Sequence, residues 1–228
     1  MTFSGIQKFT LLDYPGKIAA TLFSPGCNFR CPFCHNGEIV NEKPTSGTIS
    51  EEDVLAFLKT RQGLLEGVCI TGGEPTLQKG LQDFIIKVRD LGFLVKLDTN
   101  GNEPEVLETL LSDNLLSYVA MDVKNSLLSY GKTVGITAFD TSKIEQSIEA
   151  LKKSNIPYEF RTTVVKELHS DEDLRSMAEW LLPCALWRLQ EFRDSPTCLE
   201  RGLHSLNKND IKLILNSFID EKCLKIYE

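Results

Sequence analysis

The sequence lacks the features that would take it to a membrane or out of the cell. In 228 residues no apolar run approaches the roughly 20 that a membrane helix needs. The opening stretch MTFSGIQKFTLLDYPGK has no charged start followed by an apolar core, so a cytoplasmic location is expected. A basic stripe is also missing. Acidic side chains number 32 against 25 Lys and Arg, a net charge of −7, which argues against nucleic acid as a partner. There is no internal repeat, low-complexity tract or linker, so residues 1–228 read as a single domain. The cysteines number seven, an odd count that argues against a disulfide framework in a reducing compartment and favours metal or redox chemistry.

From residue 18 onward, short β-type runs alternate with amphipathic helical runs. The strand candidates are IAATLF (18–23), GVCI (67–70), FLVKL (93–97), SYVAMDV (117–123), YEFRTTVV (158–165) and ALWRLQEF (185–192). Between them lie helical patterns. Ser50 and Asp53 predict a capping box ahead of Val54, Leu55 and Leu58. Leu81, Phe84, Ile85, Val88 and Leu91 repeat at helical spacing up to a stop at Gly92, and Pro104 opens the next helix. Ile144, Ile148 and Leu151 mark another, and Ser170 caps one carrying Leu174, Met177 and Leu181. Ile211, Ile214, Leu215 and Phe218 predict the last, within a C-terminal segment at 194–228.

Six strand–helix units in order predict a parallel sheet with helices outside it. A full eight-unit barrel takes about 250 residues. The expected fold is therefore α/β: a partial, splayed (β/α)6 TIM-like barrel with an N-terminal β-hairpin extension over residues 1–17. Pro15-Gly16 suits a type II turn in that hairpin. Such sheets bind ligands beyond the carboxyl ends of their strands.

CNFRCPFCHN (27–36) places Cys27, Cys31 and Cys34 on the loop after the first strand. Covalent haem would use Cys31, Cys34 and His35, but it normally accompanies export and leaves Cys27 unexplained. A thioredoxin-like dithiol also leaves Cys27 over. Structural zinc wants four closed ligands, yet His35 directly follows Cys34 and no second CxxC exists. Three thiolates on a short loop would leave one iron of a four-iron cluster open, because a cubane normally takes four cysteines. That arrangement suggests a small molecule on the open iron. The bland readings are specific too. DTNG (98–101) alone is a turn, and Asp122 and Lys124 share a strand face and suit a plain ion pair with Arg161 as a further partner. Cys69 reads as a small buried hydrophobe, His35 as structural, and His169 and His204 as surface or cap residues. Cys184, Cys198 and Cys223 lack cluster spacing.

CxxxCxxC with Phe33 before its last cysteine resembles the signature of radical S-adenosylmethionine enzymes. GGEP (72–75) follows the second strand, DTNG the third, and DVK (122–124) ends the fourth, each where that family holds its cofactor. GIQKFTLLDYPGKIAATLFSPGCNFRCPFCHN and LWRLQEFR (186–193) resemble the activating proteins of anaerobic ribonucleoside-triphosphate reductases. The resemblance implies a [4Fe–4S] cluster on Cys27, Cys31 and Cys34. It places Gly72, Gly73 and Glu74 at the amino end of S-adenosylmethionine. Asp98, Thr99, Asp122 and Lys124 then lie near its ribose and carboxylate, Arg161 faces the carboxylate or ribose, and Gln190 lies at the adenosine end. Asp98 and Asp122 are also placed to share a monovalent cation, as in the pyruvate formate-lyase activator.

The implied activity is reductive cleavage of S-adenosylmethionine to a 5′-deoxyadenosyl radical. That radical takes a hydrogen atom from a glycine of a partner anaerobic ribonucleotide reductase, with flavodoxin or ferredoxin as reductant. The alternatives are an activator of pyruvate formate-lyase or another glycyl-radical enzyme, a radical enzyme acting on a peptide or small molecule, and a non-catalytic zinc or electron-transfer protein. Residues 35–68 contain no cysteine, which disfavours the activators that carry an inserted ferredoxin-like segment.

Overall fold

A computed structural model describes residues 1–43, 47–218 and 223–227. The chain opens with β1 (Thr2–Phe3) and β2 (Gly5–Thr10), then turns into β3 (Ala19–Ser24). A long loop carrying the short α1 (Gly37–Val40) leads through β4 (Ile49–Ser50) into α2 (Glu51–Lys59). Strands and helices then alternate: β5 (Gly67–Gly72), α3 (Leu81–Asp90), β6 (Leu94–Thr99), α4 (Pro104–Ser112) and β7 (Tyr118–Asp122). After α5 (Tyr130–Val134) and α6 (Ser142–Lys153) come β8 (Tyr158–Val164), α7 (Asp171–Leu181), β9 (Trp187–Glu191), α8 (Lys208–Ile214) and β10 (Leu224–Tyr227).

The main sheet orders its eight strands β10-β9-β8-β7-β6-β5-β3-β2. All neighbours pair in parallel except β2, which pairs antiparallel with β3. This is the expected α/β architecture with a mostly parallel sheet. Among the described residues β2 and β10 are its edges. A seventh parallel strand, β10, goes beyond the six expected. Its four residues, LKIY, are too short a run to stand out from the sequence, and only pairing with β9 identifies it. The last helix ends at Ile214, and Phe218, expected on its apolar face, lies in the turn beyond.

The long helices bury an apolar stripe. Leu81, Phe84, Ile85 and Val88 of α3 are buried, as are Ile144, Ile148 and Leu151 of α6 and Leu174, Met177 and Leu181 of α7. Each such side chain contributes roughly 1.5–3 kcal/mol of transfer energy. The N-terminal turn has Gly16 at φ 69°, and the Lys17 N–H donates to the Tyr14 carbonyl at 3.1 Å. Ser50 accepts the Asp53 N–H at 3.1 Å, but only half of the expected box forms, because Ser50 also belongs to β4 and pairs with Thr2. The complete capping box is at Ser170 and Asp173.

Strand alternation puts apolar side chains toward the helices and polar ones on the opposite face. In β6, Lys96 and Asp98 share that inner face. In β8, Glu159 and Arg161 share it. These inner-face residues lead directly to the site.

Candidate active site

The ends of β3, β5, β6, β7, β8 and β9 and the loops beyond them enclose a cavity of about 280 Å³. Every site residue named from the sequence lines it. Cys27, Cys31 and Cys34 come from the loop after β3, and Gly72, Gly73 and Glu74 from the end of β5. Asp98 and Thr99 come from β6, Asp122 and Lys124 from β7 and its exit, Arg161 from β8 and Gln190 from β9. DTNG is not simply a turn: Asp98 and Thr99 are the last residues of β6, and only Asn100 and Gly101 leave it. The strand persists because the backbone of both is held in pairing with β7.

Backbone hydrogen bonds lace the loops together. Gly26 and Cys27 N–H groups donate to the Ile39 and Val40 carbonyls of α1. Gly73 N–H donates to Ser24 O and Glu74 N–H to Gly26 O, both at 2.8 Å. This explains the two glycines. A Cβ on Gly72, at φ 111°, would stand 2.5 Å from Ser24 N, and one on Gly73 would stand 1.9 Å from Gly26 O. The sequence reading expects them to admit a ligand, whereas the close approach the structure requires is chain against chain.

Glu74 clasps the next loop. Its Oε1 accepts Thr76 N–H at 3.1 Å, the Thr76 hydroxyl at 2.6 Å and the Thr99 hydroxyl at 2.8 Å, while Oε2 accepts Asn100 N–H at 2.7 Å. Burial pushes this carboxyl's pKa up against the pull of those donors. Asn100, missed by the sequence reading, in turn donates from Nδ2 to Asn28 Oδ1 at 2.8 Å and to Cys27 Sγ at 3.7 Å. Phe29 N–H reaches the same sulfur at 3.3 Å.

The three thiols are free. Burial pushes Cys27 up to about 11 and Cys31 up to about 12, and raises Cys34 as well. Loading a metal therefore displaces their protons. Among the described residues no three His, Cys, Asp or Glu side chains are grouped to hold a single ion. A set of three cysteines on one wall fits a cluster, whose ligands bind separate irons, better than a tetrahedral zinc.

Opposite the cysteines runs a ladder of alternating charge. Lys96 pairs with Asp98 Oδ1, and Arg161 Nη1 donates to Asp98 Oδ2 at 3.1 Å. Arg161 Nε donates to Asp122 Oδ1 at 2.8 Å, and Lys124 Nζ to Asp122 Oδ2 at 3.0 Å. Burial works against the charge on Asp122, but Arg161 and Lys124 outweigh it and hold the carboxyl well below the usual range. Asp122 likewise holds Lys124 and Arg161 charged against burial. Arg161 thus bridges the two carboxylates, Asp98 and Asp122, that the resemblance assigns to a monovalent cation. Lys96 was invisible as a site residue, although its Lys-x-Asp spacing to Asp98 mirrors the Asp-x-Lys of β7.

His169 departs from its expected surface role. It is buried; its Nδ1 accepts Val165 N–H at 3.1 Å and its Nε2 donates to the Lys124 carbonyl at 2.9 Å. His35 stacks on Phe192 and meets the Arg193 carbonyl at 2.7 Å, and exposed His204 pairs with Glu167. Cys69 is buried as expected, but beside an amine: Lys96 Nζ lies 3.8 Å from its sulfur. No described helix is long and apolar enough to cross a membrane.

The profile of the radical SAM superfamily matches residues 21–181. The chain belongs to the radical SAM superfamily. Membership implies a [4Fe–4S] cluster and S-adenosylmethionine, and the donor set above fits them. A protein of Methanocaldococcus jannaschii, named provisionally as a glycyl-radical enzyme activating enzyme, is 36% identical over 95% of this radical SAM chain and 94% of its own length. A GTP 3′,8-cyclase of Helicobacter pylori is 32% identical over 65% of the chain but only 47% of the cyclase. Among solved structures, a radical SAM methyltransferase from Sphaerobacter thermophilus superposes with a TM-score of 0.70 at 14% identity, over 94% of this chain and 67% of that one. A domain of a pyruvate-formate lyase-activating enzyme from Bacteroides vulgatus gives 0.54 at 17% identity, over 71% and 99%. At such identities these two speak for the fold alone.

Proposed function

We propose that this radical SAM protein activates a glycyl-radical enzyme, and that its partner is an anaerobic ribonucleotide reductase. The observation that supports activation is the likeness to the M. jannaschii protein, which runs through 95% of this chain and 94% of the relative, while the partner reading rests on the resemblance of residues 5–36 and 186–193 to activators of that reductase. The cyclase likeness leaves half of that enzyme unmatched, so a nucleotide-cyclising reading has less of the chain behind it.

When bound, the cluster and S-adenosylmethionine supply one-electron chemistry that ends in removal of a hydrogen atom from a glycine Cα. The chain's own residues then orient and shield. Cys27, Cys31 and Cys34 would hold the cluster, and S-adenosylmethionine would bind beside it. Gly72 and Gly73 bring the β5 loop against the cysteine loop. Glu74 fixes Thr99 and Asn100 beside it. Arg161 and Lys124, held in place by Asp98 and Asp122, would meet the carboxylate and ribose, and Gln190 would meet the adenosine end. Phe29 and Val40 give the cavity apolar walls. The reductant is a flavodoxin or ferredoxin, and the reaction belongs in the cytoplasm.

The test is anaerobic reconstitution with iron and sulfide, then reduction with S-adenosylmethionine and the cognate reductase. A glycyl-radical EPR doublet on the reductase is expected. Formation of 5′-deoxyadenosine with no such doublet would leave the superfamily chemistry standing and remove the partner.

A further inference from the structure

Lys96 has no part in the activity just described, yet it occupies a demanding position. A lysine amine removed from water is destabilising unless its charge is answered. Lys96 is 1% exposed. Its Nζ meets Asp98 Oδ1, lies 3.8 Å from Cys69 Sγ, and stands 5.9 Å from the centre of the Tyr118 ring. A methionine there would fill similar space at no cost in desolvation, so its position points to the charge.

The charge count gives the reason. Asp98 and Asp122 present four oxygens, and Lys96, Arg161 and Lys124 engage all of them. Three cations thus answer two carboxylates, and the ladder carries one excess positive charge. The adjoining Glu159–Arg188 pair is balanced in itself. A free monovalent cation binds through oxygen ligands. Here it would have to compete with three fixed cationic side chains for the oxygens of Asp98 and Asp122.

We propose that Lys96 is a built-in cation. Its ammonium stands beside Asp98 where a free monovalent ion would otherwise sit, fixes Asp98 and through it Arg161, and makes S-adenosylmethionine binding independent of sodium and potassium. Lys96 is a positioning residue that touches neither cofactor nor cluster. The inference rests on S-adenosylmethionine binding in this cavity and not on the partner's identity.

The experiment measures S-adenosylmethionine affinity by calorimetry on the cluster-loaded protein, in buffer free of sodium, potassium and ammonium, with choline chloride holding ionic strength. For the natural protein, adding potassium should change Kd by less than about twofold. Lys96→Met should bind about tenfold more weakly without a cation and recover on adding potassium, an effect of the size one lost charge gives in a half-buried site. Lys96→Arg should stay tight and indifferent to potassium. Thallium(I) NMR on the same proteins should show ion binding to Lys96→Met and none to the natural protein. A severalfold tightening of the natural protein by potassium would overturn the inference, as would cation-free affinity in Lys96→Met equal to that of the natural protein. If Lys96→Met does not fold, the potassium titrations of the natural protein and Lys96→Arg still decide. Failure of the natural protein to bind S-adenosylmethionine at all would remove the site reading, and the inference with it.

Discussion

Replacing Glu74 with Gln tests how the site is held together. The carboxylate accepts two backbone N–H groups, from Thr76 and Asn100, on different oxygens. An amide has one oxygen. If it faces Thr76 and Thr99, its NH₂ opposes the Asn100 N–H. If it turns over, the NH₂ opposes the Thr76 N–H. The two hydroxyls adapt by rotating, but a backbone N–H cannot, so one donor–donor clash survives in either orientation. A lost charge-assisted bond that leaves a buried donor unpaired costs about 2–3 kcal/mol. For a chain of this length that lowers the midpoint by roughly 4–12 °C. The assay is urea unfolding of the reduced apo-protein under anaerobic conditions, comparing midpoints at constant slope. A cycle with Thr99→Val should show coupling, since the Thr99 hydroxyl bonds the same carboxylate at 2.8 Å. Stability of Glu74→Gln within about 0.5 kcal/mol of the natural protein would refute the clasp.

Other expectations follow from the same geometry. Cys27→Ser, Cys31→Ser and Cys34→Ser should each lose most of the iron taken up on reconstitution, whereas Cys69→Ala, Cys184→Ala and Cys223→Ala should keep it, as measured by iron and sulfide analysis. Gly73→Ala puts a methyl 1.9 Å from Gly26 O and should destabilise by about 2–4 kcal/mol in the same urea assay, with S-adenosylmethionine affinity falling too. Gly16→Ala, where nothing lies within 4 Å of the added carbon, should cost only the strain of φ 69°, about 1 kcal/mol, and leave affinity unchanged.

The parts of this protein legible in its sequence are those that repeat or cluster locally. Leu81, Phe84, Ile85 and Val88 declare α3 by spacing alone, and three cysteines within eight positions declare a ligand loop. What escaped is set by long-range pairing. β10 is four residues whose identity as a strand comes from β9, and Asp98 and Thr99 stay extended because β7 lies beside them. His169 reads from the sequence as a surface or cap residue. Its burial comes from the chain after β7, whose Lys124 carbonyl it holds 45 positions away. Lys96 escaped for the opposite reason. A lone lysine in an apolar strand reads as an interruption until the neighbouring strands bring the Cys69 sulfur and the Tyr118 ring against it, beside Asp98 of its own strand.

The charges around the cavity also set how stability depends on pH. Asp122 is depressed, so its contribution is present above the unfolded value near 3.9 and lost as pH falls through its folded value. Lys124 is raised, so its contribution holds below the unfolded value near 10.4 and is lost as pH rises through its folded one. Between those limits the ladder should contribute a constant term. His169 is different. Burial lowers its pKa, overcoming the bonds to Lys124 and Val165, so the folded state resists the proton that the unfolded state accepts. The stability tied to its neutral form is complete above the unfolded value near 6.5 and declines as pH drops toward the folded value. Protonation also turns Nδ1 from acceptor to donor, so the Val165 N–H at 3.1 Å loses its acceptor while the new proton turns to the Val165 carbonyl, also at 3.1 Å. The apo-protein should therefore be flat in stability only around pH 7 to 8; it should weaken below about 6.5, and above about 8 as the unfolded thiols ionise near 8.5 while burial keeps Cys27, Cys31, Cys34, Cys69 and Cys184 protonated in the fold. His169→Gln keeps a donor for the Lys124 carbonyl and an acceptor for Val165 without a titrating ring, so it should remove that acid limb. An acid limb unchanged in His169→Gln would mean that the carboxylates, and not this imidazole, set the lower edge.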